Sequence, residues 1–259
     1  MKEQLKNGEI CFEVDMLKVR VFPNQPSMAK AAARDASDYL NAALLAQNSA
    51  AIILASAASQ VQFLSELITL PIDWSRITIF HMDEYLGIDE NHKASFRKFL
   101  RDNVLSKIKP RTYHLIQGDA PEPLTECERY TYLLKSQPID LCCLGIGENG
   151  HIAFNDPPVA NFKDRYSVKI VKLDDACRRQ QVGEGAFPDI DSVPKYALTL
   201  TVPMLVSARR MICVCPEKRK ARAVASTLKG EISEKCPASI LRTHKNATLY
   251  LDSDSASLL

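Results

Sequence analysis

Long apolar runs are missing from this 259-residue chain, and no stretch approaches the roughly 18 consecutive apolar residues that a membrane-spanning helix needs. The first residues, MKEQLKNGEICFEVDMLKV, also lack the apolar core of a secretory signal. CxxC pairs are absent as well: the eight cysteines are scattered, and several, such as Cys142 and Cys213, lie inside apolar runs. We therefore expect a cytoplasmic protein with no membrane partner and with buried free thiols rather than disulfides.

A strong excess of charge of one sign is also lacking. The net charge is only +2, so no broad electrostatic field favours nucleic acid or an anionic membrane as a partner, whereas a small anionic ligand stays compatible. Repeats, low-complexity tracts and linkers rich in proline, glycine or serine are not found. We therefore interpret residues 1–259 as a single domain.

Short apolar runs alternate with segments of helical periodicity. This pattern predicts an α/β fold with a mostly parallel sheet and helices on both faces. The segment 174–195 is different, because it is polar, contains Gly183 and Gly185 and has weak periodicity, and we interpret it as a mobile lid. The predicted strands are 51–54, 77–80, 139–144, 168–173, 211–214 and 248–251, and the predicted helices are 29–46, 61–70, 94–105, 125–136 and 220–230.

Two acids follow one predicted strand in the run ITIFHMDEYLGID. Ligands of open α/β sheets bind at the carboxyl ends of the strands, so Asp83 and Glu84 are expected to lie over a pocket. A carboxylate in this place can act as a general base beside a carbonyl when burial or neighbouring groups tune its pKa. The alternative is a structural acid that caps a helix or a turn, because aspartate is common at such junctions.

Three glycines and a histidine follow another strand, in IDLCCLGIGENGHIAFNDPP. Gly145, Gly147 and Gly150 allow the backbone to approach a ligand, and their G-x-G-x-x-G spacing occurs in dinucleotide-binding loops. A histidine directly after the third glycine is atypical of those loops, so we reject a nicotinamide site. A lone histidine is more often structural, but the position of His151 on a glycine-rich loop after a buried strand favours a functional role.

The pair HMDEYLG and GIGENGHIAFNDP, in this order, resembles the glucosamine-6-phosphate deaminase family. The similarity continues through VPKYALTLTVPML and CPASILRTHKNATLYLD, so it covers most of the chain. The resemblance implies a Rossmann-like fold of the sugar-phosphate isomerase type and the conversion of glucosamine 6-phosphate and water into fructose 6-phosphate and ammonium. It implies no metal and no other cofactor, and its small-molecule partner is a phosphorylated amino sugar. Relatives range from monomers to hexamers, so a homo-oligomer stays open.

Carried over motif by motif, the resemblance assigns the chemistry to two residues. Asp83 becomes the base that moves a proton between C2 and C1, and His151 opens the pyranose ring by relaying a proton between the ring oxygen and the anomeric hydroxyl. Asp156 takes the place of a carboxylate that supports the histidine. Glu84 and Gly147 are expected to contact the substrate.

Two positions beside the histidine depart from the family pattern. Asn149 keeps a hydrogen-bonding shape but lacks the negative charge of the usual aspartate. Asp156 is one methylene shorter than the usual glutamate, so we expect its contact with His151 to be lost or to run through water. Both changes bear on deaminase competence.

The loop expected to hold the phosphate departs as well. Where the family has a glycine-containing turn of the ATGSTP kind at a helix N-terminus, this chain reads ASAASQ at 55–60. Ser56 and Ser59 can still donate hydrogen bonds. Alanine tolerates positive φ poorly, so we expect a reshaped loop or a different substrate.

Basic residues in two places are candidates for contacting the phosphate. Lys220, in EKRKARAV, matches the family's phosphate-binding lysine before a helix. The lid arginine of the family has no clear counterpart, and Arg178 or Arg179 is the candidate. The alternative for this arginine pair is a solvated helix face.

Three other functions stay open. Lactonases acting on 6-phosphogluconolactone share the fold and a similar loop, but typically continue after the histidine with a T-A-S-L-F-P-like string, where this chain has IAFND. Sugar-phosphate sensor domains of some transcription regulators share the fold too, but the stretch before Ala29 has no room for a helix-turn-helix and a first strand. The altered 55–60 loop is the best support for an enzyme acting on another sugar phosphate.

Overall fold

The computed structural model describes residues 3–4 and 8–259. Its twelve described strands form two sheets, and the larger has the order β1-β2-β3-β12-β11-β8-β4-β5-β7. From β3 onwards each neighbouring pair in this order is parallel, whereas β2 pairs antiparallel with β1 and with β3. The strands are β1 (Glu3–Gln4), β2 (Ile10–Val14), β3 (Leu17–Phe22), β4 (Ala50–Leu54), β5 (Ile77–His81), β6 (Asp83–Tyr85), β7 (Thr112–His114), β8 (Leu141–Leu144), β9 (Val168–Lys172), β10 (Tyr196–Leu200), β11 (Arg210–Cys215) and β12 (Ala247–Asp252).

Helices cover both faces of the large sheet, as its fully apolar central strands require. In β4, Ile52 and Leu54 pack with helices α1 and α2 on one face, and Ala51 and Ile53 pack with α4, α6 and α7 on the other. The helices are α1 (Gln25–Ala46), α2 (Val61–Leu67), α3 (Phe96–Leu100), α4 (Pro123–Lys135), α5 (Asp175–Gly183), α6 (Val202–Val206) and α7 (Ala221–Lys229).

A small antiparallel sheet, with the order β6-β10-β9, continues from the carboxyl end of β5. Met82 joins β5 to β6, and its carbonyl accepts a hydrogen bond from the Leu200 N–H at the end of β10. Within this sheet, Thr199 of β10 lies opposite Asp83 of β6. The small sheet therefore fixes the direction in which the chain leaves the main sheet.

The predicted α/β class and the mostly parallel sheet are confirmed. Each predicted strand and helix overlaps an observed element of the same type, but β9 belongs to the small antiparallel sheet instead of the main one. The helix predicted at 94–105 is α-helical over Phe96–Leu100 and continues as a π-helical turn over Arg101–Leu105. Strands β1, β2, β3, β6, β7 and β10 and helices α5 and α6 were not predicted.

The segment 174–195 is more ordered than its weak periodicity indicated. It contains α5, and its side chains Cys177, Phe187 and Val193 are buried in a cluster with Tyr85 and Phe154. The interpretation of this segment as a lid stays a prediction.

All eight cysteines are free, and Cys142 and Cys213 are among the buried ones, which confirms the expectation of free thiols. Among the described residues, no helix combines the length and the apolar character needed to cross a bilayer.

Candidate active site

A cleft opens at the carboxyl ends of four neighbouring strands of the large sheet. Residues after β4, β5, β8 and β11 meet there, where doubly wound sheets place their ligands. The predicted site residues that line it are Ser56, Ser59, Asp83, Gly147, His151 and Lys220.

Asp83 presents its carboxylate to this cleft from the first position of β6. The residue is 7% exposed, and no hydrogen bond from the described residues reaches its carboxylate. Burial raises the pKa of Asp83 well above its ordinary value, and the charge of Glu84 raises it further. Asp83 therefore has the environment of a strong base that is held away from bulk water.

Glu84 does not line the cleft, which corrects the expectation that it contacts substrate. Successive residues of a strand point to opposite faces, and the carboxylate of Glu84 instead caps the start of α3. It accepts hydrogen bonds from the backbone N–H groups of Phe96 at 3.1 Å and Arg97 at 3.0 Å and from the Ser95 hydroxyl at 2.8 Å. Glu84 is therefore a structural acid that caps a helix, which was the alternative considered for acids in this motif.

His151 lines the cleft, and two side chains hold its ring through Nδ1. Nδ1 is 2.8 Å from Oδ1 of Asn149 and 2.9 Å from Oδ1 of Asp156. Both partner atoms are acceptors, so Nδ1 carries a proton and donates it. In the neutral ring, Nε2 therefore has a free lone pair, which is the form that accepts a proton from a hydroxyl.

Asn149 and Asp156 support this histidine and are not part of the cleft lining. Asn149 also accepts a hydrogen bond from the His151 backbone N–H at 3.0 Å and donates one to Asp156 at 3.0 Å. The expectation that Asp156 loses direct contact with the histidine was wrong, because the loop turns tightly enough for the shorter side chain to reach. Burial by itself would raise the pKa of Asp156, but its hydrogen bonds and the charge of His151 bring it below its ordinary value.

Gly147 is required by the position of the imidazole. A Cβ placed on this residue would lie 2.2 to 2.4 Å from atoms of the His151 ring. The ring therefore packs directly against the backbone of the glycine-rich loop, which any larger residue would prevent.

Strand β10 connects the two motifs. It pairs with β6, which carries Asp83, and the hydroxyl of Thr199 accepts a hydrogen bond from the Phe154 N–H at 3.1 Å. The amide of Asn155 donates to the Leu200 carbonyl at 2.8 Å. The loop after His151 is thus hydrogen-bonded to β10, the same strand that pairs with β6 and positions Asp83.

The cleft lining includes three polar donors, which are Ser56, Ser59 and Lys220. The Ser56 hydroxyl is buried and has no hydrogen-bond partner among the described residues, and Lys220 is 3% exposed. None of the residues 55–60 has a positive φ, so the alanines in this loop are unstrained. The expectation of a reshaped loop or a different substrate stays a prediction. The turn Ala58–Gln60 leads directly into α2.

Neither arginine of the candidate pair lines the cleft. The guanidinium of Arg178 turns into the 174–195 segment, where it donates to the Val193 carbonyl at 3.2 Å. Arg179 is exposed and lines a separate groove with Glu148 and Asn149. The expectation that Arg179 reaches the phosphate is therefore corrected: the direction of its side chain, which α5 determines, takes it away from the cleft.

Several cleft residues were missed by the sequence analysis. Helix α5 and the residue after it contribute Gln180, Gln181 and Glu184, and the 55–60 loop contributes Gln60. The sequence placed Glu184 in the lid segment but gave no sign of the side it faces, because the periodicity there is weak.

The fold also brings together His151, Asp156 and Cys177, whose ligand atoms all lie within 4.8 Å of one another. The sequence did not indicate this grouping of metal-ligand types. Burial raises the pKa of the Cys177 thiol well above its ordinary value, which disfavours the thiolate that binds metal. The grouping is accounted for by the hydrogen bond between His151 and Asp156 with a protonated thiol beside it.

Comparisons with known proteins point to one family. The family described as glucosamine-6-phosphate isomerases/6-phosphogluconolactonase matches residues 23–250. A glucosamine-6-phosphate deaminase of Listeria monocytogenes serotype 4a is 32% identical over 206 residues, which is 80% of this chain and 86% of the relative. One of an Exiguobacterium species is 34% identical over 186 residues, which is 72% of this chain and 71% of the relative.

Two solved structures show the same fold. A monomeric glucosamine-6-phosphate deaminase has a TM-score of 0.85 and 33% identity, with 93% of this chain and 99% of that chain covered. A 6-phosphogluconolactonase from Thermotoga maritima has a TM-score of 0.74 over 90% of this chain and 98% of that chain, but its identity of 17% shows the fold alone. The chain therefore belongs to the glucosamine-6-phosphate isomerase/6-phosphogluconolactonase family.

Proposed function

We propose that this protein deaminates and isomerises glucosamine 6-phosphate to fructose 6-phosphate, with release of ammonium. The observation that carries the proposal is that Asp83 and His151 line one cleft together with Lys220 and Ser56, whose hydroxyl has no hydrogen-bond partner among the described residues. Relatives named glucosamine-6-phosphate deaminase, at 32–34% identity, support this substrate.

Ring opening is the first step, and it uses the free Nε2 of His151. This nitrogen takes the proton of the anomeric hydroxyl while the ring oxygen leaves, and the imidazolium then returns the proton to that oxygen. The Nδ1–H bonds to Asn149 and Asp156 keep the ring in the required tautomer and orientation, and the carboxylate stabilises the positive charge that forms.

Proton transfer between carbons is the second step. The open-chain aldehyde acidifies C2, and Asp83 removes the C2 proton while the aldehyde oxygen takes a proton from the C2 ammonium group, which gives an enolamine. The same carboxyl then returns its proton to C1. The product at C2 is an imine, which water hydrolyses to the ketone and ammonia. The raised pKa of Asp83 suits this role, because a more basic carboxylate removes a carbon-bound proton more readily.

The phosphate belongs at the Lys220 end of the cleft. Lys220 supplies a buried positive charge, and the Ser56 hydroxyl supplies a donor that lacks a protein acceptor. Ser59 lines the same cleft and completes the candidate donor set.

The eight free cysteines support a cytoplasmic location.

A substrate screen tests the proposal. Glucosamine 6-phosphate, other phosphorylated amino sugars and 6-phosphogluconolactone should be offered to the purified protein, with ammonium release and lactone hydrolysis as separate readouts. We expect ammonium release from glucosamine 6-phosphate with formation of fructose 6-phosphate. Lactone hydrolysis without ammonium release would contradict it.

A further inference from the structure

We propose that Glu184 competes with the substrate phosphate for Lys220, and that it thereby sets the affinity of the cleft for phosphorylated substrates. The inference rests on the proposed function, which places the phosphate at the Lys220 end. It assigns a specificity-determining role to a residue of the 174–195 segment that the sequence analysis did not single out.

Glu184 directs one carboxylate oxygen at the groups that would bind an anion. Its Oε1 lies 4.0 Å from Nζ of Lys220 and 3.1 Å from Nη1 of Arg219, and it accepts a hydrogen bond from Nε2 of Gln180 at 2.8 Å. The side chain is only 9% exposed and lines the cleft. Arg219 and Gln180 therefore hold the carboxylate in place, and it lies beside Lys220 in the lining of the same cleft.

The charged groups around Arg219 have no net positive charge that would attract a phosphate. Besides Glu184, its guanidinium contacts Glu217 at 2.6 Å and Glu148 at 3.5 Å. Two cations, Arg219 and Lys220, thus face three carboxylates, and this connected group has a net charge of −1 when all five are ionised. A phosphate dianion that enters beside it meets repulsion as well as attraction.

The rest of the same end is nevertheless equipped to hold an anion. The Ser56 hydroxyl is buried and lacks an acceptor among the described residues, and Lys220 is buried at the same cleft. A phosphate that binds Lys220 here lies close to the Glu184 carboxylate, which is 4.0 Å from the same ammonium. The two negative charges repel each other and compete for one cation.

Replacing Glu184 by glutamine isolates the effect of the charge. The amide oxygen of glutamine can still accept the hydrogen bond from Gln180, so the shape and this contact are kept while the negative charge is removed. We expect the dissociation constant for inorganic phosphate to fall about tenfold. Repulsion between two negative charges a few ångströms apart in a partly buried site weakens binding by at least this factor.

Glu217→Gln is the matched control. It also removes a carboxylate partner of Arg219, but Glu217 does not line the cleft. Its dissociation constant for phosphate should stay within about threefold of the wild-type value, because its distance from the ligand and its exposure to water weaken its effect. Glu184→Ala is the second test variant, and it should change affinity in the same direction as Glu184→Gln.

Calorimetric titration with inorganic phosphate measures binding without turnover, so its result is independent of whether ammonium is released from glucosamine 6-phosphate. A dissociation constant at least threefold lower in Glu184→Gln and in Glu184→Ala, but not in Glu217→Gln, supports the competition. An unchanged or higher constant in the Glu184 variants, or an equal gain in Glu217→Gln, overturns it. Failure of ammonium release in the wild-type protein counts against the proposed function alone.

Discussion

Nδ1 of His151 lies 2.9 Å from Oδ1 of Asp156, and the other oxygen of that carboxylate accepts a hydrogen bond from the Asp174 backbone N–H at 3.1 Å. Asp174 is the residue that precedes α5. The carboxylate therefore joins the histidine to the start of the 174–195 segment, and the orientation of the ring depends on both.

Asp156→Asn should lower kcat about tenfold and leave KM nearly unchanged. The amide keeps the shape, but a neutral hydrogen bond to Nδ1 stabilises the imidazolium less than a charge-assisted one, by about 1.4 kcal/mol. Steady-state kinetics with glucosamine 6-phosphate measure the two constants separately. A rise in KM with unchanged kcat would show that Asp156 serves binding instead of ring opening.

The acid limb of the pH profile should report Asp83. A general base acts in its deprotonated form, so its raised pKa means that activity is lost at a higher pH than for an ordinary aspartate. The negative charge of Glu84 contributes to that increase, so Glu84→Gln should lower the pKa of Asp83 and move the acid limb to lower pH.

The measurement is kcat/KM against pH, because this ratio reports ionisations of the free enzyme. Asp102→Asn is the control, since it removes an exposed carboxylate that forms an ion pair with Lys98 away from the cleft. If the acid limb of the folded Glu84→Gln variant lies at the same pH as that of the wild type, the charge of Glu84 does not affect the pKa of Asp83.

Lys220→Ala should raise KM about ten- to hundredfold and change kcat much less. A phosphate contact remote from the reacting carbons stabilises the bound substrate and the transition state equally, and a hydrogen bond to a charged group contributes about 1.5–3 kcal/mol. Lys218→Ala is the matched control, because Lys218 is in the same turn but exposed. Equal KM values in the two variants would place the phosphate elsewhere.

Gly147→Ala should lower kcat strongly, because the added Cβ would overlap the His151 ring and force it to move. Gly183→Ala, at the end of α5, is the control: a Cβ there meets nothing within 4 Å. Kinetics and thermal unfolding of both variants separate a displaced ring from a general loss of stability. Normal turnover by Gly147→Ala would show that the position of the ring is not critical.

The sequence was informative where a residue's neighbours along the chain determine its position. Asp83 and His151 follow buried apolar strands, and the carboxyl ends of parallel strands meet at one edge of a sheet, so their meeting in one cleft could be anticipated. The contact of Asn149 with His151 is local as well, since only Gly150 separates them.

Contacts between segments that are far apart in the sequence could not be predicted from it. The pairing of β6 with β10 was missed because each strand is short and no local pattern specifies the partner. The inward direction of Glu184 depends on the rotation of α5, whose Cys177 is buried in a cluster with Tyr85 and with Phe187 from the residues after the helix. The weak periodicity of this segment could not reveal that rotation.

Removal of the C2 proton by Asp83 is tested most directly by hydrogen exchange in D2O. With the wild-type enzyme, NMR should show loss of the C2 proton of glucosamine 6-phosphate and deuterium at C1 of fructose 6-phosphate. Asp83→Asn should reduce this exchange about a thousandfold or more, because the amide keeps the shape of the side chain but cannot accept the proton. Calorimetric titration with inorganic phosphate should show unchanged binding in this variant. Retention of most of the wild-type exchange rate by Asp83→Asn would contradict the assignment of Asp83 as the base.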